Sequence, residues 1–452
     1  MSVALSRAFA RIAPTAGRGG LGQQVVFGAV GNFLLNVTTV VSNFVIAVFL
    51  ARTLGPGGYG AYAIATTWAM FLTVAALLGL PPLVIRKVSE YRVADAWGLV
   101  RGLSRSAHRA VLAASLVCGA VAVLVGWFRY GSNPELQHAY FLALALVPLT
   151  AIQSIRQAIL AGFGRTIIAR IPATLVSTAG FAVALGVVAL LQFHLSPFRA
   201  VGLNVATTGL AFVLSTILLA RLLPRVARTA THAYETRSWR RSSVPLLLGS
   251  GIQAVNAQAG LLLLGLFEPA AEAGRYGVSL KAATTISFLL LTVSYPVEPT
   301  IARLFAQRDL ERVQRLVSRT ARGVLLMTLP LAIAMVVYAG PVLHTFFGVR
   351  FTGAAVMLRI LAAGEAVNVL TGLCGVVLLM TGHEAKMARG IAVGAAATLL
   401  LSLSLIPVWG AVGAAVATAA GNVASNVLLS IFAWRSVKIY TPAFGLHRFQ
   451  QS

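Results

Sequence analysis

The sequence predicts an all-α integral membrane protein: about twelve transmembrane helices in two six-helix bundles related by a parallel internal repeat. Three observations carry this fold class. Of the 452 residues, 58% are hydrophobic and only 10% charged, with a mean hydropathy of +0.85, whereas a soluble domain carries about 25% charged residues. Apolar runs of helix-spanning length alternate with Arg-rich connections. A hairpin pattern in the first half returns in the second at a fixed offset. Membrane-barrel strands would alternate polar and apolar residues, and these runs do not, so helices remain as the way to satisfy the backbone in lipid.

In chain order, residues 1–24 are polar and rich in Gly and Arg, unlike a signal-peptide core, and read as a cytoplasmic tail. Spans are predicted over 26–50, 61–84, 108–129, 139–160, 168–192 and 200–222 in the first half (25–222). Those of the second half (244–434) fall over 244–266, 275–299, 323–346, 354–380, 388–409 and 411–434. The longest basic connection, 223–243, lies between the halves, and 435–452 forms the second tail. The great majority of the 36 Lys and Arg fall on one side of this arrangement. Cations are retained on the cytoplasmic face, so both termini are expected inside. The net charge of +25 is therefore a topology signal with a secondary attraction to anionic membrane lipids, not the footprint of nucleic acid. Cys118 and Cys374 fall in different spans and read as small buried hydrophobes.

The hairpin runs from Phe49 to Tyr91. A Gly-Pro-Gly-Gly turn (Gly55 to Gly58) precedes Tyr59-Gly60, and the second helix closes on Pro81-Pro82 and Arg86-Lys87. Sliding the second half back so that Tyr276-Gly277 falls on Tyr59-Gly60 also places Phe288 on Phe71, Pro299 on Pro82 and Arg303 on Arg86. The second hairpin is then Leu266 to Arg308. An even number of spans separates the copies, which makes the repeat parallel, as in transporters whose site lies between two halves. Gly60, Pro82, Arg86, Gly277, Pro299 and Arg303 are the resulting hinge candidates, the prolines bending or ending their helices.

The segment Ala51-Arg52-Thr53-Leu54-Gly55-Pro56 followed by Tyr59-Gly60, at the first turn of such a chain, resembles the bacterial polysaccharide flippases. These are O-antigen and exopolysaccharide translocases of the multidrug/oligosaccharidyl-lipid/polysaccharide (MOP) exporter superfamily. The resemblance implies two six-helix bundles in a V around a central cavity. It also implies a polyprenyl-diphosphate-linked oligosaccharide moved by alternating access from the inner to the outer leaflet of the bacterial inner membrane, for lipopolysaccharide or exopolysaccharide synthesis. Polysaccharide polymerase or assembly proteins would be its partners. The second copy reads Phe267-Glu268-Pro269, without the basic residue at Arg52.

Polar residues at membrane depth are costly and face a cavity or a neighbouring helix. Asn32, Asn36, Thr39 and Asn43 form one stripe on the first span, readable as cavity lining or as interhelical glue. Gln253 and Asn256, and Thr418, Asn422 and Asn426, form similar stripes. Lys281, Thr284, Thr285, Phe288, Thr292 and Tyr295 share a face of span eight. Lys281 either snorkels or serves as a cavity cation for a diphosphate or acidic sugar. Arg156, between Gln153 and Gln157, is a second candidate anion contact. Glu365, with Asn368 one turn on, needs a cation, a proton or hydrogen bonds. Either Lys281 or Arg359 neutralises it, or it couples transport to a proton or sodium gradient. No other cofactor and no metal is expected. A multidrug exporter of the same fold is the alternative function. The only aspartates, Asp95 and Asp309, lie in loops and cannot form a DxD motif, so an enzyme is not expected.

Overall fold

The computed structural model describes residues 21–444 except Ser132, with side chains described from Val30 onward save those of Ser132, Leu291, Tyr295 and Pro296. Most of the first tail, the end of the second, and the Tyr295 side chain thus lie outside the described residues. The regular elements described are helical, and ten helices are long and apolar enough to cross a membrane.

The first half contains α1 (Leu21–Ala76), α2 (Leu80–Val93), α3 (Trp97–Tyr130), α4 (Pro134–Ala143), α5 (Leu146–Gly162), α6 (Thr166–Ile171), a π-helical stretch (Pro172–Ala179), α7 (Gly180–Leu190) and α8 (Pro197–Leu222). After the short α9 (Arg225–Thr229), the second half contains α10 (Thr236–Phe267), α11 (Ala270–Ala306), α12 (Leu310–Val337) and α13 (Ala339–Phe347). A 3₁₀ turn (Val349–Ala354) leads to α14 (Ala355–Thr371), α15 (Cys374–Met380) and α16 (Glu384–Val437).

Two helices are too long for one crossing. The 47 residues Val30–Ala76 would extend about 70 Å if straight, against a core of about 30 Å. α1 breaks at Gly55, whose φ of 68° and ψ of −178° suit glycine. α16 breaks at Gly410, with φ 56° and ψ −134°. There the chain folds back on itself: a Cβ on Gly390 would lie 2.6 Å from Leu429 Cδ2, and one on Gly394 would lie 2.6 Å from Ser425 Cβ. Gly421 faces Thr398 and Gly413 faces the Leu405 carbonyl in the same antiparallel order. Small residues let the two limbs approach this closely.

The prolines act differently from expectation. The first hairpin's second limb ends at Ala76. Pro81 and Pro82 then open α2 after Gly79, where proline's missing N–H is harmless. Pro299 instead lies within α11, which runs on to Ala306. The two copies therefore differ at their Arg-rich ends: one breaks and restarts, the other continues. Two further spans are irregular. Pro172 begins the π-helical stretch of the fifth, and the tenth breaks between Thr371 and Cys374 at Gly372 (φ 68°). The latter break leaves the Leu370 carbonyl free, and Ala443 N–H satisfies it at 2.9 Å. Residues 438–444 thereby form a strap, further fixed by Gln314, which exchanges two hydrogen bonds with the Tyr440 backbone (2.8 and 2.7 Å).

The basic connection is docked against the first half rather than free. Ala233 N donates to Gly98 O (3.1 Å), Arg101 Nη1 to Ala230 O (2.7 Å), and Tyr91 OH to Glu235 Oε2 (2.8 Å). Leu83, Val88, Val147 and Ile155 are among the side chains buried in the first half, and Val317, Leu343, Leu358 and Val377 in the second. Large exposed apolar side chains such as Leu116, Leu124, Leu326 and Leu400 face outward where lipid replaces water as solvent. Cys374 is buried, Cys118 partly so, and they are not bonded.

Candidate functional site: a cavity between the halves

A cavity of about 1040 Å³ lies between the two halves and is lined by α1, α5, the π-helical stretch and α8 on one side, and by α10, α11, α14, α15 and α16 on the other. Its walls differ in chemistry. The first-half wall offers hydroxyls, aromatic rings and amides. Asn204 Nδ2 donates to Tyr62 OH (3.2 Å), Thr73 pairs with Thr150 (3.0 Å) and Ser177 with Thr208 (3.0 Å). The π-helical stretch brings Ser177 into the lining, consistent with the functional placement such wide turns often have.

The second-half wall holds the charge. Both oxygens of Glu365 accept hydrogen bonds from neutral groups. Ser287 Oγ and Asn368 Nδ2 (3.3 Å) donate to Oε2, and Asn422 Nδ2 (3.2 Å) donates to Oε1. Asn426 Nδ2 in turn donates to Asn422 Oδ1 at 3.0 Å. The fold-back at Gly410 brings the Asn422 limb to α14. Lys281 also lines the cavity, and its side chain is exposed to that space. Among the described residues it makes no ion pair. Neither Lys281 nor Arg359 neutralises Glu365: the carboxylate is held by three uncharged donors. A carboxylate in this setting can take a proton or a small cation, and an unpaired ammonium can take an anion.

The remaining candidates divide. Asn43, Asn256, Thr285 and Asn368 line the cavity. Asn32, Asn36 and Thr39 do not: Arg170 donates to Asn32 Oδ1 (3.2 Å) and Asn36 Oδ1 (2.6 Å), and Thr39 bonds its own helix at Leu35 O (2.8 Å). The expected stripe is continuous on the helix, but only its Asn43 end reaches the cavity. Gln253 also lies outside the lining, while Gln258, one and a half turns on, belongs to it. Arg156 packs away from the cavity, over the Phe212 ring (4.0 Å) and bonded to Ser215 (3.2 Å) and Thr216 (2.6 Å). Tyr62, Asn204, Thr208, Ser177 and Ser287 are lining residues that periodicity did not single out. The Asn204/Thr208 spacing of one turn was the available signal.

The halves meet at the Gly55 break of α1, the Gly55 end of the molecule. Gly60 packs directly on the Ala270 carbonyl and beside Gly274, whose own Cα faces Pro56. Gly277 lies beside Tyr59, so Gly274, not Gly277, makes the tight backbone contact. Arg52 donates to Phe346 O (2.8 Å) and Thr345 O, and Arg129 to Leu266 O (3.0 Å). These carbonyls belong to the last turns of α13 and α10, where they lack intrahelical partners and carry the negative end of the helix dipole. Tyr130 OH adds a bond to Gly265 O (3.3 Å). At the Arg-rich ends Arg86 pairs with Glu90 (3.8 Å), and Arg303 is exposed. No hydrogen bond or ion pair among the described residues joins α2 to α11 there; α2 instead meets α10, with Trp239 Nε1 donating to Tyr91 OH (2.9 Å) and Gly79 packed on the Ser243–Leu247 backbone. The cavity is thus closed at the Gly55 end.

Residues 26–305 match the model of the polysaccharide biosynthesis protein family. Over 166 residues the chain is 23% identical to a probable low-salt glycan biosynthesis flippase, Agl15, of Haloferax volcanii, a match that takes in 37% of this chain and 35% of that protein. In shape the chain is similar to the lipid II flippase MurJ in an inward closed conformation: TM-score 0.70, 13% identity, 91% of this chain and 87% of the other. It is also similar to an inward-facing multidrug resistance MATE transporter of the MOP superfamily: TM-score 0.67, 12% identity, 90% of this chain and 98% of the other. At such identities the likeness shows the fold, which is that of the MOP superfamily. With most of its length under the family model, this chain belongs to the polysaccharide biosynthesis protein family.

Proposed function

We propose that the protein is a flippase that moves a lipid-linked oligosaccharide with an anionic headgroup across the bacterial cytoplasmic membrane, by alternating access of its two halves to the central cavity. The observation that carries this reading is Lys281, an ammonium without an ion-pair partner among the described residues, in a wall whose other polar groups are amides, hydroxyls and the Glu365 carboxylate. Such a surface suits a phosphate beside sugar hydroxyls. The lipid tail would stay in the bilayer. We count twelve crossings by taking α1 and α16 as two each, with both termini on the cytoplasmic, Arg-rich side. Units 25–222 and 244–434 are then the moving bodies, and polymerase or assembly proteins would take the product. No chemical step is assigned to the chain; it would act as a transporter, with Glu365 and Asn368 as the candidate site for a coupling proton or sodium ion.

The test is transbilayer movement of a fluorescent polyprenyl-diphosphate-linked disaccharide in proteoliposomes. Movement with the native chain, reduced about tenfold or more in Lys281→Ala by loss of one charge-assisted contact, supports the reading. Native protein that leaves the lipid in its original leaflet overturns it.

Glu365 favours a second reading, since a cavity carboxylate also suits an organic cation and several MATE multidrug transporters share the fold. Proton-driven export of cationic dyes by the same proteoliposomes, without movement of the glycan lipid, would establish it.

A further inference from the structure

We propose that the cavity takes up its anionic substrate and a proton together, with the Glu365 carboxylate as the proton acceptor, so that each event favours the other. This rests on the reading of the chain as a transporter of a lipid-linked glycan.

The argument starts from the charge inventory. Lys281 and Glu365 are the charged side chains in the cavity lining, and Tyr59, Tyr62 and Cys374 are its other titratable groups. The elements that pack around Glu365 present uncharged groups to it: Ser287 from α11, Asn422 from α16 and Asn368 from α14 itself. α12, also packed on α14, contributes no lining residue. With Glu365 ionised the lining is therefore neutral overall, and with Glu365 protonated it carries one positive charge. Among the described residues, no cation holds the carboxylate in its ionised form.

The geometry then sets the sign of the coupling. Ser287 places Glu365 at its own level on α11, and Lys281 lies six residues earlier, about 9 Å along the axis. Six residues also turn the helix by about 240°, so the two side chains leave different faces and a phosphate on Lys281 lies on the order of 10–15 Å from Glu365. At an effective dielectric of about 20, a negative charge at that distance from an ionised carboxylate is disfavoured by about tenfold in affinity. Protonation, R–COO⁻ plus H⁺ from solution giving R–COOH, removes this repulsion. The surrounding donors accommodate both forms, because a serine hydroxyl accepts as well as donates and an amide can present its oxygen. For a cationic substrate the sign reverses: proton and substrate would compete for Glu365. Co-binding is thus the signature that separates a glycan-phosphate carrier from a cation exporter using the same carboxylate.

The probe is a farnesyl-diphosphate-linked N-acetylglucosamine, whose diphosphate is esterified at both ends and keeps a constant charge near neutral pH. Titrate it by calorimetry into the full chain in detergent, in sodium-free solution, using two buffers of different ionisation enthalpy. Expected results are proton uptake on binding by the native chain and an affinity that falls, by up to about tenfold, as pH rises through the titration of Glu365. Glu365→Gln, a neutral isostere, should bind at the low-pH affinity throughout and take up no proton. Binding by the native chain without proton uptake overturns the proposal, as does uptake that persists in Glu365→Gln. Binding that requires sodium and ignores pH overturns it in favour of that ion. No binding of the probe at any pH overturns the glycan-lipid reading beneath it.

Discussion

Lys281 and Glu365 share a cavity without pairing, and that separation gives each a distinct use. Had they formed an ion pair, each would have satisfied the other and left little for a ligand. Instead the carboxylate is satisfied by Ser287, Asn368 and Asn422, and the ammonium remains available. Arg156 shows the opposite outcome. Its guanidinium is spent on Phe212, Ser215 and Thr216 of α8, so Arg156→Gln should lower the melting temperature in detergent, through loss of contacts worth about 2 kcal/mol, while leaving glycan-lipid affinity within about twofold. A large affinity loss without destabilisation would put Arg156 in the transport path. The amphipathic spacing of these residues was legible in the sequence. Their partners were not, because a helical periodicity gives a side chain's direction and not what another helix places opposite it.

Among the elements, the α16 hairpin depends on four glycines that let its limbs touch. Gly421 has the tightest contact, against Thr398, so Gly421→Val should cost on the order of 1–3 kcal/mol by overpacking and lower the melting temperature, whereas Gly323→Val, with open space around it, should not. The docked connection 230–235 offers a second test. Desolvation, then the nearby Arg101, Arg105 and Arg109, push the His232 imidazole below its ordinary value. At high pH the ring is neutral whether the segment is docked or not. As pH falls through the ordinary imidazole range, about 6.5, the undocked ring takes a proton first, so docking weakens on acidification. A lower protection factor at Ala233 (exchange relative to the intrinsic rate at the same pH) on acidification, absent in His232→Gln, is the expected observation. The basic run itself was evident in the sequence; that it binds α3 is a matter of the Gly98 and Gly102 backbones, which a linear reading does not bring near Ala233.

For the whole molecule, the closure at the Gly55 end is the feature that must open if access alternates. Arg52 and Arg129 of the first half hold helix C-terminal carbonyls of the second, contacts that lose little when solvated and therefore suit a reversible gate. Arg52→Gln together with Arg129→Gln should shift the population towards opening at this end. A cysteine placed at Thr66 in the cavity wall of a chain whose Cys374 is replaced by Ala should then react faster with a membrane-impermeant maleimide applied from that side; an unchanged rate would show that the remaining contacts, Gly60–Gly274 and Tyr130–Gly265 among them, hold the closure.

The sequence by itself determined the solvent, the helical class and the Arg-rich side, because hydropathy and charge are local properties that the bilayer reads directly. It also marked the glycine turn of the first hairpin and the polar residues that lipid would not tolerate. Only the tertiary structure decided which of those residues meet in one cavity. Asn43 enters it while Asn32 and Asn36 bind Arg170, Glu365 finds three neutral donors rather than a cation, and Pro82 starts a helix where Pro299 continues one. The physical reason is that a buried polar group takes whichever partner the neighbouring helices bring within hydrogen-bond reach, and that choice is made by packing between segments from 57 to 138 residues apart.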